Sequence, residues 1–398
     1  MSGVFLKFSN LDKVGGTLGF ALLLSLFALP FVSLQPNRIM PGQSIGLLDS
    51  ASLNTLIPFL VMLVLTSLLS LFKTAIRTRL LLIFLTLMTL MYTVGAGASQ
   101  LLVEASPLAR VSLNAGFWLA IFWLALLITD AAIKLALRPL PRLALVAVIV
   151  AAVTSLLAAG YWDSLSLLRE YHNQTDFWRQ AVRHLQLSLG SIIPAILVGI
   201  PLGVRCHRSA GLKAMVFPVL NILQTIPSLA MFGLLMIPLS LLATGYPLLA
   251  ELGIRGIGAA PAVIALFFYS LLPIVSNTAL GFDKVDARVR EAATGMGMNA
   301  RQRLWQVEFP LAMPVILTGL RVVVTMNIGL VAVAALVGGG GFGTYIFQGL
   351  GQTATDLVIL GAAPTLVLAF LFAIVIDTLI ALQRGGKHDR SKSTQQTV

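Results

Sequence analysis

An all-α, polytopic membrane bundle of about ten transmembrane helices is the fold this sequence predicts, and three observations predict it. The 398 residues are 58% hydrophobic and 11% charged, with a mean hydropathy of +0.93, far more apolar than a soluble core requires. The apolar residues come in runs of about 20, the length that crosses a hydrocarbon layer of roughly 30 Å. The 27 basic residues crowd into alternate gaps between those runs. Membrane topology places charge in that way, whereas a nucleic-acid binder gathers it on a soluble face, so no nucleic-acid partner is expected.

The runs fall near 15–34, 55–72, 80–98, 113–133, 143–161, 185–204, 215–239, 259–281, 314–337 and 357–382. The first follows Lys7 and Lys13 like a signal peptide, but it is long enough to span and has no small-residue cleavage site, so it is read as a retained helix. One set of gaps holds Lys7 and Lys13, Lys73 to Arg79, Lys134 to Arg142, Arg205 to Lys213, Lys284 to Arg303, and Arg384 to Lys392, twenty basic residues in all. The other set holds only Arg38, Arg110, Arg169, Arg179, Arg183 and Arg255, and Arg321 lies inside the ninth run. The positive-inside rule then puts both termini and residues 282–313 of a multi-pass protein in the cytoplasm.

The chain changes character along its length. The third to fifth runs lack proline, whereas the later ones carry Pro194, Pro201, Pro218, Pro227, Pro238, Pro261, Pro273 and Pro364. A proline frees a backbone carbonyl, and lipid tolerates that only where protein or a watery cavity satisfies the carbonyl again. Residues 1–160 are therefore expected to be an accessory region of about five helices. Residues 161–186 are expected to be an external amphipathic segment, residues 187–385 the working bundle, and 386–398 a cytoplasmic tail. With Cys206 alone no intrachain disulfide forms, and His172, His184, His207 and His388 lack metal-ligand spacing. No metal site is expected.

The stretch "EAATGMGMNARQRLWQVEFP" (291–310) interrupts this oily chain. "DARVREAAT" favours helix, Gly295 and Gly297 break it, "ARQRLWQVEF" resumes it, and Pro310 limits it. The spacing is Glu291-Ala292-Ala293, three residues, Gly297, nine residues, Val307, one residue, Phe309, Pro310. It closely resembles the EAA loop of ABC importer permeases, EAA-x3-G-x9-I-x-L-P, with valine for isoleucine and phenylalanine for leucine. The resemblance implies a type I importer core like that of the methionine permease, with 283–313 as the coupling loop that docks on a separate ATPase subunit. Glu291 is then expected to fix the geometry of the hairpin. "LQLSLGSIIPAILVGIPLGV", "ILQTIPSLAMFGLLMIPL", "VEFPLAMPVILTGLR" and "VGGGGFGTYIFQGL" resemble the osmoprotectant branch, the permeases for glycine betaine, choline and carnitine.

What the resemblance implies is a permease subunit and not an enzyme. It would have no catalytic residue and no cofactor of its own, since ATP and Mg stay on the partner ATPase. The implied partners are ATPase subunits, membrane lipid and a second permease, in a homodimer or a heterodimer. Few residues follow the last run, so a separate extracytoplasmic binding protein is expected as well. An amino-acid ABC permease would share the loop, and an ion-coupled secondary carrier is the rival class. Asn221, Gln224, Thr225, Pro227, Asn277 and Asn327 are polar or helix-breaking residues at membrane depth. They are candidates either for a translocation pathway or for interhelical hydrogen bonds. "GGGGFGT" (338–344) lacks the lysine of a phosphate loop and is expected to be a close-packed turn. Asp130 with Lys134, and Asp377 near Arg384, are expected to be interfacial, with no buried acid–base chain.

Overall fold

The computed structural model describes residues 11–38, 40–73 and 76–395, with side chains to residue 383. Lys7 and the side chains of the C-terminal basic cluster lie outside the described residues. The chain divides into two units, Met1–Gln174 with Thr353–Leu357, and Thr175–Gln352 with Val358–Val398.

The first unit runs α1 (Lys13–Ala28), β1 (Val32–Gln35), β2 (Gln43–Ile45), α2 (Leu53–Leu71), α3 (Ile76–Val103), β3 (Arg110–Leu113), α4 (Ala115–Lys134), α5 (Pro139–Ala158) and α6 (Ser166–Asn173). Asp12 caps α1 by accepting from the Gly15 N–H at 3.1 Å, one of the donors a helix start leaves orphaned. Leu22 and Leu26 of α1, Leu56, Phe59 and Leu63 of α2, Ile83 and Leu90 of α3, and Phe117 and Leu124 of α4 form one buried core. The hydroxyls of Thr66 and Thr86 meet at 2.7 Å between α2 and α3, a polar clasp of the kind that holds helices together where lipid offers no hydrophobic drive.

The sequence predicts helices alone, but the structure adds a three-stranded antiparallel sheet of order β2-β1-β3, with Val32 opposite both Ile45 and Leu113. These strands have three or four residues, too few for an alternation signal, and β3 comes from a distant part of the chain. The external segment also differs from expectation. Only Ser166–Asn173 forms the short helix, and from Phe177 onward the residues belong to a 32-residue helix. At about 48 Å that helix outruns the hydrocarbon layer, so its first turns are polar.

The second unit is helical: α7 (Phe177–Arg208), α8 (Ala210–Thr225), α9 (Ser228–Gly245), α10 (Pro247–Glu251), α11 (Ala259–Asp283), α12 (Ala287–Gly295), α13 (Ala300–Arg303), a π-helical stretch (Leu304–Glu308), α14 (Phe309–Ala334), α15 (Gly343–Gly351) and α16 (Thr355–Gln395). The tail expected from 386 is thus helical as far as 395. α11 packs against α7 and α14. Small residues permit the approach, since a Cβ on Gly203 would lie 2.6 Å from Cβ of Thr278 and one on Gly319 2.5 Å from Cβ of Asn277.

Among the described residues nine helices are long and apolar enough to cross a membrane, and Lys13–Ala28 is a shorter apolar helix. The seventh predicted run, 215–239, divides into α8 and α9 because Pro227 has no N–H to give and holds Ile226 in an extended conformation (φ −68°, ψ 125°). Pro194, Pro201, Pro273 and Pro364, by contrast, sit inside continuous helices.

Candidate functional site: the polar hairpin between α11 and α14

The hairpin begins where the Asp286 side chain caps α12 by accepting from Arg288 N–H at 2.9 Å. It turns at Gly297, whose φ of +80° is a left-handed conformation. The Gly297 N–H donates to Thr294 O at 2.9 Å and the Met298 N–H to Ala293 O at 3.2 Å, the paired bonds of a Schellman motif with glycine at its left-handed position. Asn299 and Gln302 then form a reciprocal capping box, both bonds at 2.9 Å, which starts the second arm.

Arg303 ties the arms together. Its Nη1 donates to Thr294 Oγ1 at 2.9 Å and its Nε to Glu308 Oε1 at 3.0 Å. Glu308 is only 4% exposed, so this ion pair is partly shielded from water and stronger than a surface pair. Phe282 and Val285 before the hairpin pack with Leu304, Phe309, Ala312 and Ile316 after it. The hairpin is therefore a rigid extension of α11 and α14, and the π-helical stretch marks the junction.

Glu291 was expected to hold this geometry, and the structure gives that work to Glu308. Glu291 and Ala292 are exposed, and the Glu291 side chain makes no hydrogen bond or ion pair among the described residues; of the triplet only Ala293 is buried. Gly295 and Pro310 are exposed, Val307 is half-buried, and Phe309 packs into the cluster just described. The surface left open is unusual for a loop. Met296 is 72% and Trp305 58% exposed, and beside them lies a shallow 540 Å³ depression lined by Ala287, Arg290, Glu291, Thr294, Gly295 and Arg303.

Three of the polar membrane residues donate hydrogen bonds inside the bundle, although Asn327 Oδ1 is buried without a partner among the described residues. Pro273 lacks an N–H and so leaves the Tyr269 carbonyl without its helical donor. Gln224 Nε2 supplies that donor at 2.9 Å, and Tyr269 OH in turn donates to Ile226 O at 2.6 Å. Gln224 thus clasps α8 to α11 at the break before Pro227. Asn327 is fully buried and donates to Ser191 Oγ and Ser270 Oγ, both at 2.9 Å, joining α14 to α7 and α11. Asn277 donates to Pro273 O at 2.9 Å in its own helix. Thr225 is exposed with its hydroxyl bonded back to Ile222 O, and Asn221 is exposed.

The glycine turn has φ of +77°, +82° and +86° at Gly338, Gly340 and Gly341. The N-terminal part of α7 holds it: Gly341 N–H donates to Gln180 Oε1 at 2.7 Å, Arg183 Nε to Gly339 O at 3.0 Å, and Phe342 N–H to His184 Nδ1 at 3.3 Å. Because Nδ1 of His184 accepts, its Nε2 carries the proton and donates to Ile328 O at 2.9 Å.

Two charge groups depart from expectation. In the first unit Asp130 does pair with Lys134, but the buried Arg79 and Asp12 join them in one cluster, with Arg79 bonded to both carboxylates at 2.7 Å. Spacing on one helix revealed only the Asp130–Lys134 pair, since Asp12 and Arg79 come from other helices. In the second unit Asp377 Oδ1 pairs with Arg321 Nη1 of α14 at 2.9 Å; the Arg384 side chain lies outside the described residues. Among the described residues no group of three His, Cys, Asp or Glu side chains could hold a metal ion.

Comparison with known proteins places the chain. Residues 195–384 match the family described as binding-protein-dependent transport system inner membrane component, and residues 12–168 match the ABC transporter permease YehY, N-terminal domain. The chain is 42% identical to the osmoprotectant import permease protein OsmW of Salmonella typhimurium over 198 residues, 50% of this chain and 85% of that one. It is 40% identical to the choline transport system permease protein OpuBB of Bacillus subtilis, over 53% of this chain and 88% of that one. Among solved structures it is similar to the inward-facing MetNI methionine ABC transporter at 20% identity, covering 52% of this chain and 95% of that one with a TM-score of 0.46. With more than two thirds of relatives such as OsmW covered at this identity, and with a multi-pass apolar fold, the chain belongs to the ABC importer permeases.

Proposed function

We propose that the chain is the membrane-spanning permease through which a quaternary-ammonium osmoprotectant such as glycine betaine enters the cell. Separate ATPase subunits bind ATP and Mg, a separate extracytoplasmic binding protein delivers the solute, and a second permease subunit completes the path. The observation that carries this reading is the hairpin. A polar arm braced by Arg303 and Glu308 projects from two membrane helices and bares Met296 and Trp305. Bare apolar anchors beside a shallow depression are what a partner protein covers. The names of relatives such as OsmW and OpuBB support the solute class.

The test is uptake of labelled glycine betaine into proteoliposomes holding the permease, its ATPase and its loaded binding protein. Uptake that requires ATP and all subunits is expected. Uptake by the permease alone under an ion gradient would make it a secondary carrier, and uptake of an amino acid in place of betaine would reassign the substrate.

The same reading places both termini and the hairpin in the cytoplasm of an inner-membrane protein. In a background lacking the buried Cys206, Leu48→Cys, on an exposed position of the segment between β2 and α2, is expected to react with an impermeant thiol reagent on spheroplasts. Thr78→Cys, exposed at the start of α3, is expected to react only after lysis. Labelling of position 78 in intact spheroplasts would reverse the orientation.

A further inference from the structure

Arg321 stands in the interior of α14, twelve residues past Phe309, and is the helix's only charged residue. Its guanidinium meets Asp377 of α16 through a single 2.9 Å contact, and its side chain stays 46% exposed against 31% for Asp377. One face of α14, with Ile316, Gly319, Val323, Asn327 and Val331, is packed inside the bundle. The other face carries Thr318, Arg321, Thr325 and Gly329 at helical spacing, and the chain does not bury it. Arg321 puts one charge on this polar stripe, and charged side chains at membrane depth turn to protein or to a water-filled cavity.

We propose that this stripe lines the aqueous path of the solute and that the Arg321–Asp377 pair is a zwitterion-matching point within it. This rests on the osmoprotectant reading above. A guanidinium has five N–H donors in a planar fork, and Asp377 engages it at Nη1, so donors remain for the carboxylate of a passing betaine. The Asp377 carboxylate, itself part-exposed, presents the opposite sign toward the quaternary ammonium. Because the two side chains neutralise each other, the contact is weak enough to release the solute, as conduction requires. Asn327, by contrast, has both amide N–H groups committed to serines and none to offer.

The experiment uses the complete importer in proteoliposomes, with glycine betaine and choline as probes; choline keeps the quaternary ammonium and lacks the carboxylate. Arg321→Gln is expected to lower betaine uptake about tenfold, the size of one lost charge-assisted bond. Choline uptake, ATPase assembly and stimulated hydrolysis should stay within about twofold of wild type. The charge-swapped double variant Arg321→Asp with Asp377→Arg keeps an ion pair but inverts the polarity met by the solute. Its betaine uptake is expected to stay low while the complex assembles. Recovery of betaine uptake in the swap would show that the pair is only a brace between α14 and α16. Equal losses of betaine and choline in Arg321→Gln, or no loss at all, would also overturn the proposal. If Arg321→Gln fails to insert, the swap decides alone. Wild-type vesicles that move neither solute would instead sink the substrate reading, and this proposal with it.

Discussion

Gly297→Val is expected to leave the permease inserted and able to receive its loaded binding protein, yet to cut uptake at least tenfold relative to ATP hydrolysed. The residue occupies the left-handed position of the Schellman turn at φ +80°, where a side chain costs about 1–2 kcal/mol. A Cβ there would meet no atom of this chain within 4 Å, so the fold has room for it and the penalty is conformational. Relief of that strain unwinds the last turn of α12 and shifts Met296, the exposed apolar anchor. Asparagine tolerates the left-handed region, so Gly297→Asn separates two causes. If only the backbone conformation matters, Asn couples nearly as well as glycine; if the ATPase approaches the backbone closely, Asn fails like valine. Glu308→Gln acts on the other arm by weakening the bond to Arg303, worth about 2 kcal/mol for a charge-assisted contact, and should loosen coupling more than Glu291→Ala. The measurement pairs ATPase rate with uptake in proteoliposomes. Wild-type values of both in Gly297→Val would reduce the hairpin to a solvated connector.

Arg79→Met is expected to lower the stability of the first unit by about 3 kcal/mol, because it leaves the buried Asp12 and the half-buried Asp130 with only Lys134 between them. Arg79 itself is 2% exposed, so its charge is held largely away from solvent. Replacing all four charged residues with apolar ones of similar volume should recover much of the loss, since the desolvation cost then vanishes with the attraction. Gly15→Ala tests the same packing from the side, because its Cβ would come within 2.5 Å of the Ser70 carbonyl. Thermal unfolding of the purified protein in detergent measures all three, and an unchanged midpoint in Arg79→Met would show the cluster to be solvated.

The cluster also gives the unit a defined acid response. Burial pushes the Asp12 carboxyl up, but bonds from Lys134, the Gly15 N–H and Arg79 outweigh it and hold the group at about 2, against an ordinary 3.8. A carboxyl lowered on folding stabilises the fold above its unfolded value and loses that contribution as it protonates. The stabilisation from Asp12 should therefore be complete above about pH 4 and fade as pH falls toward 2, and Asp12→Asn should flatten the dependence.

The sequence by itself determined the membrane class, nearly every span and the place of the hairpin, because each rests on local signals: apolar run length, basic gaps, and a glycine between helix-forming stretches. Gly297 was legible for the same reason, since a left-handed turn favours glycine whatever surrounds it. Only the tertiary structure decided that Glu308, and not Glu291, braces the hairpin. That choice depends on where Arg303 reaches after the turn has closed, which spacing along one helix does not report. It likewise decided that Asn327 bonds to serines of two other helices, that Asp377 answers Arg321 across two helices, and that three short strands pair although two helices separate β2 from β3 in sequence. Each of these joins groups far apart in the chain, and their partners are set by the packing of apolar faces against one another. A hydrophobic pattern says that a face is buried, but it does not say which other face buries it.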